Sequence, residues 1–198
     1  MGYTYIDTNT ITSDVATLTI DIASGYDEIV FSYKQYRGGD SHGKGFGFQV
    51  ETGADTDYDK PMVTQNYGIN SAGGGSAYNW QSSEIYDAHT DGDWAAWQHS
   101  SVEAFQALSM AGENESGDPV SNMSSSGMLT LYKPKASGTS WKHFIANGNA
   151  NYKSGGVYYA YCFHFAGYIK ETGALTTIRF KPFSGNFDRI IMHQYGLS

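Results

Sequence analysis

Apolar side chains recur at every second position in six separate segments of this 198-residue chain. In "VATLTIDI", Leu18, Ile20 and Ile22 alternate with Thr17, Thr19 and Asp21. In "EIVFSYKQY", Ile29, Phe31 and Tyr33 fall on one side, with Ser32 and Lys34 on the other. The same period sets Phe46, Phe48 and Val50 against Gly45, Gly47 and Gln49, and Leu129 and Leu131 against Thr130. It recurs with Ile178 and Phe180 against Thr177 and Arg179, and with Ile190 and Met192 against Arg189 and His193. A period of two belongs to strands with one buried face, so these segments predict sheets, each with an inward and an outward side.

Turn chemistry separates the runs: "ASGYD", "RGGDSHGKG", "ETGADTDYD", "SAGGGS", "KASGT", "NGN", "KSGG" and "FSGN". Many short strands at this spacing predict an all-β fold, a jelly-roll-like antiparallel β-sandwich with long Gly/Ser-rich loops. Neither an internal repeat nor a linker interrupts residues 1–198, which predicts a single β-sandwich domain. "GVYYAYCFHFAGYI" differs from the other runs. Tyr159, Tyr161, Phe163 and Phe165 make a large aromatic face, and Ala160, Cys162 and Ala166 a small apolar one. It predicts a central strand covered on both faces, with Cys162 as a buried, inert thiol. Residues 93–110 fit two patterns. Trp94, Trp97, Ser101, Ala104 and Leu108 match a helical face, with Ser100 and Glu103 as a capping box. From about residue 103 the alternation predicts a strand instead.

Composition narrows the function classes. The chain carries 12 Lys+Arg against 20 Asp+Glu, a formal net charge of −8 with a pI near 5.0. No basic stripe is available for a phosphate backbone, so nucleic acid is not an expected partner. Charged residues make up 16% of the chain, below the usual ~25%, while 16 Tyr and 24 Gly are present. A low-charge, Tyr-rich surface suits protein–protein contact, although aromatics also favour strands. The first residues lack the basic and apolar regions of a signal peptide, and no apolar run reaches membrane-span length. The expectation is a chain made in a cytoplasm, without membrane insertion. One cysteine allows no intrachain disulfide framework.

Motifs for chemistry are sparse. There is no G-x-S-x-G elbow and no H-E-x-x-H. Cys162 and His164 share one side of a strand, where packing is the expected role. "DTDYD" (Asp55, Asp57, Asp59) starts like a calcium loop but lacks its sixth-position Gly and twelfth-position Glu. "DAHTDGD" (Asp87, His89, Asp91, Asp93) is a second acidic loop. Neither predicts a metal, and no cofactor or catalytic residue is expected. Asp91, Asp93 or Glu84 could serve a glycan depolymerase, but nothing pins two carboxylates together. Trp80, Trp94 and Trp97, with the loop tyrosines Tyr36, Tyr67 and Tyr78, are the candidates for interface or glycan contact. The alternative for the tryptophans is a minicore beneath long loops.

The C-terminal stretch "TTIRFKPFSGNFDRIIMHQYGL" predicts a closing hairpin that ties the terminus down, with Phe187 folding back onto the sandwich edge. It resembles the last hairpin of small virion proteins from marine tailed bacteriophages, which reads approximately I-x-I-x-x-x-S-G-N-F…L-Y-G. The matching residues are Ile178, Phe180, Ser184, Gly185, Asn186, Phe187, Tyr195 and Gly196. The chain departs from that family in "DRIIMHQ", where a Gly- or Ser-containing stretch is usual. The resemblance implies a jelly-roll-like sandwich and a non-enzymatic structural place on a phage particle, as capsid decoration, fibre or tail component. Implied partners are further copies of the chain, as a trimer or other symmetric homo-oligomer, and capsid or tail proteins. The alternative is a lectin-like module for host-surface glycans.

Overall fold

The computed structural model describes residues 2–38, 45–53, 62–72, 76–87, 106–109, 124–154, 157–182 and 186–198. Among them are twelve strands and no helix. In chain order these are β1 (Thr4–Ile11), β2 (Leu18–Asp21), β3 (Glu28–Gly38), β4 (Phe46–Thr52), β5 (Met62–Ala72) and β6 (Ser76–Asp87). They continue with β7 (Gln106–Ser109), β8 (Ser124–Tyr132), β9 (Lys142–Ser154), β10 (Val157–Ile169), β11 (Leu175–Pro182) and β12 (Phe187–Leu197).

All pairings are antiparallel, and the strands form two sheets. The large sheet has the order β1-β12-β3-β8-β9-β10-β5-β6, and the small sheet β2-β11-β4-β7. With the hairpins β5–β6 and β9–β10 set aside, eight strands remain. Their order is β1-β12-β3-β8 facing β2-β11-β4-β7, the double Greek key of a jelly roll. The two inserted hairpins extend the first sheet beyond β8.

Alternation places the core as the sequence predicts. Leu18, Ile20, Ile29, Phe31, Tyr33, Phe46, Phe48, Val50, Leu129, Leu131, Ile178, Phe180, Ile190 and Met192 are all buried between the sheets. Aromatic edges join the two layers. Phe31 meets Phe180 at 5.6 Å, Tyr33 meets Phe46 at 4.9 Å and Phe48 meets Phe144 at 5.2 Å, all T-shaped. Such pairs add to the stabilisation from burial alone.

One register row shows how side-chain size is matched across strands. Tyr33, Gly127, Gly148 and Phe163 lie side by side on β3, β8, β9 and β10. The two glycines leave room for the large neighbours. A Cβ on Gly127 would come within 2.6 Å of the Tyr33 hydroxyl, and one on Gly148 within 2.9 Å of both Tyr33 Oη and Phe163 Cζ. Through that gap the Tyr33 hydroxyl donates to the Leu108 carbonyl, at 3.1 Å.

Three expectations require correction. The strands flanking "FSGN" do not form a hairpin: β11 lies in the small sheet and β12 in the large one. The chain therefore crosses between layers from β11 to β12, and Phe183, Ser184 and Gly185 lie outside the described residues. The last strand is tied down more firmly than a closing hairpin would manage, because β12 runs between β1 and β3. Phe187 is in the core rather than at its edge, fully buried and 5.4 Å from Phe46. Asp27 N donates to Leu197 O at 2.8 Å, and the Tyr26 ring lies where a Cβ on Gly196 would stand.

The second correction concerns β10. It is central, between β9 and β5, but covered on one face only. Phe163 and Phe165 are buried, whereas Ala160, Cys162 and His164 are exposed. Small apolar side chains read as buried by hydropathy, yet they contribute little area, so exposing them costs little. The third concerns Cys162 itself, which is exposed rather than a buried thiol. Residues 106–109 form the expected strand, with Leu108 fully buried, and 93–105 lie outside the described residues.

Candidate functional site

Two surfaces stand out on the outer side of the large sheet. The first is a grid built by register. Its rows across β8, β9 and β10 are Ser124–Asn151–Ala160, Ser126–Asn149–Cys162 and Met128–Asn147–His164. Eight of these nine residues are exposed and Ser126 is half-buried. Serine–asparagine pairs link neighbouring strands across the grid. Ser126 Oγ donates to Asn149 Oδ1 at 3.1 Å, and Ser124 N donates to Asn151 Oδ1 at 2.8 Å. The rows continue by backbone register to Ser71, Ile69 and Tyr67 on β5, and to Ala77, Asn79 and Gln81 on β6. None of these positions is Asp, Glu, Lys or Arg.

The second surface is a cleft of about 730 Å³ where β3 begins, β8 ends and β9 begins. Its base is another register row, Glu28–Tyr132–His143, which ends on Tyr168. Its rim is the β8–β9 loop, residues 133–141. The loop is pinned at several points. Leu175 N donates to Pro134 O at 2.8 Å, Ala136 N to Lys133 O at 3.1 Å and Gly138 N to Thr172 O at 3.2 Å. Lys142, itself buried, donates from Nζ to the carbonyls of Ala136 and Thr172. Burial pushes its ammonium below the ordinary lysine value, while Glu171 acts in the opposite direction.

Trp141 closes the loop with 47% of its surface exposed. Its indole rests on Tyr168, with centroids 5.6 Å apart and planes at 32°, and His143 meets the edge of the same tyrosine at 5.7 Å. Asp27 and Glu28 supply carboxylates, and Ser137, Thr139 and Ser140 supply hydroxyls. The Tyr3 hydroxyl donates to Glu28 Oε2 at 3.2 Å.

The sequence-predicted contact residues scatter relative to these surfaces. Tyr67 falls in the grid, opposite His164. Trp80 lies opposite Gly68, in the row of the buried Phe163, and Tyr78 lies opposite Asn70, in the row of Tyr161. Tyr36 sits at the bulge where β3 passes Arg189 and Ile190 of β12. Trp94, Trp97, Asp91, Asp93, His89 and the Asp55/Asp57/Asp59 loop lie outside the described residues, and Glu84 is placed by its backbone within β6. Sequence reasoning missed Trp141. The signal was a tryptophan directly after the turn "KASGTS", a position where a large apolar ring is not needed for a strand.

Among the described residues, no group of three or more His, Cys, Asp or Glu could hold a metal ion, and no helix is long and apolar enough to cross a membrane. No protein-family model, no curated protein and no solved structure matches the chain.

Proposed function

We propose that the chain is a non-enzymatic structural protein of a bacteriophage particle, as capsid decoration or tail or fibre component, that acts by associating with itself and with a scaffold. One observation carries the self-association: the exposed grid on β8, β9 and β10 without Asp, Glu, Lys or Arg. A chain with 20 Asp+Glu and 12 Lys+Arg would ordinarily place several on such an area. Depletion of charge marks the centre of a protein interface, where desolvation would penalise it. An exposed free thiol at the middle of the grid is also poorly suited to permanent contact with solvent and would be protected by a second chain.

The particle assignment rests on the C-terminal resemblance and on the jelly-roll topology, an architecture used by viral capsid proteins and lectins alike. Closed symmetry is the usual outcome of contact between copies: a ring such as the expected trimer if the grid meets a different patch of the next copy, and a two-fold dimer if it meets itself. The reading is tested by probing purified virions of the source phage with an antibody against this chain. It predicts a stoichiometric virion band that survives density-gradient purification. A chain confined to the lysate and absent from particles would refute the assignment.

A further inference from the structure

We infer that the cleft between β3 and the β8–β9 loop is a binding site for a neutral glycan, with Trp141 as the platform for a sugar ring and the Asp27 and Glu28 carboxylates as acceptors for its hydroxyls. This goes beyond the proposed structural role and does not depend on it. Trp141, 47% exposed, presents an apolar ring face at the rim of the cleft that a ligand can cover. Tyr168 lines its back and is not part of the cleft wall, so the stack stiffens the indole while it faces the opening. A platform held in place before the ligand arrives loses little rotamer freedom on binding.

A pyranose offers an apolar C–H face and a rim of hydroxyls that both donate and accept. The cleft matches it with carboxylate acceptors and with three loop hydroxyls that do either. Tyr3 engages Glu28 Oε2 and occupies one of about four acceptor positions on that carboxylate. An aromatic wall with a few convergent polar groups is the general composition of a small-ligand site.

Lys142 Nζ gives two of its three donors to the Ala136 and Thr172 carbonyls, which holds the ammonium against the loop as part of the cleft wall. Asp27 and Glu28 balance Lys133 and Lys142 in the lining, so the cleft has no excess of positive charge to select an acidic sugar or a phosphate. A proline-rich peptide is the other ligand that seeks exposed tryptophan. Its exposed carbonyls require donors, however, and carboxylates repel them.

The test uses the full chain and calorimetric titration with hexasaccharides of β-1,4-glucose, β-1,3-glucose and β-1,4-mannose, alongside a proline-rich decapeptide. The expected result is saturable binding of at least one hexasaccharide, with Kd on the order of 0.1–1 mM. Trp141→Ala should weaken it about tenfold or more, and Trp141→Phe should retain most of it. Thermal unfolding of both variants should match the parent, because the side chain is half exposed. No binding by any hexasaccharide, equal binding by Trp141→Ala, or binding of the decapeptide alone would each overturn the inference. Any of these outcomes would leave the self-association reading standing, since that reading concerns a different surface.

Discussion

The Tyr33 hydroxyl reaches across the sandwich to the Leu108 carbonyl at 3.1 Å, through a gap that Gly127 and Gly148 leave open. This contact fastens β7, a four-residue strand at the edge of the small sheet, to the middle of the large one. Tyr33→Phe keeps the ring and leaves that carbonyl without this donor. A loss of about 1–3 kcal/mol is expected in denaturant unfolding, with an unchanged m-value.

Gly148→Ala tests the same gap from the other side. The new methyl would stand 2.9 Å from Tyr33 Oη and from Phe163 Cζ, and it also meets the backbone at Ser126 O. Since backbone cannot yield as a flexible side chain does, destabilisation of about 1–3 kcal/mol or more is expected by the same measurement. Unaltered stability would mean that the row is not close-packed.

Phe46 touches Tyr33 and Phe187 across the layers and Phe180 within its own sheet. Phe46→Ala removes three edge contacts and opens a cavity between layers. The expected cost is about 3–5 kcal/mol, read as a lowered unfolding midpoint.

Deleting residues 187–198 removes β12 from between β1 and β3, which leaves β1 without its partner strand and turns β3 into an edge. The truncated chain is expected to lack a cooperative thermal transition and to aggregate. A soluble, cooperatively unfolding product would show that the last strand is dispensable, contrary to its central position.

The core was legible because alternation is a local property. Phe31, Leu129, Ile178 and Met192 each declare their face through neighbours two residues away. Pairing is not local. "TTIRF" and "DRIIMHQYGL" alternate equally well, and nothing in the intervening turn tells a hairpin from a crossover between layers. The exposed side of β10 was misread because Ala160 and Cys162 are small, and small side chains tolerate either environment. The cleft is not legible in the sequence because Glu28, Tyr132 and His143 meet only through strand register, as does Tyr168, which backs Trp141, and these residues are far apart in the chain.

The central claim is that the grid centred on Cys162 is a contact between copies of the chain. Its most direct test is the molar mass in solution, by light scattering after size exclusion in reducing buffer, for the parent, Cys162→Ser and Cys162→Glu. Cys162 is exposed, so neither substitution buries a polar group in the isolated chain. The account predicts an integral multiple of the 21.7 kDa chain mass for the parent and for Cys162→Ser, with three the first expectation. It predicts a folded 21.7 kDa monomer for Cys162→Glu, because a charge at the centre of an interface is desolvated without a partner. A monomeric parent, or a Cys162→Glu variant that assembles as the parent does, would contradict it.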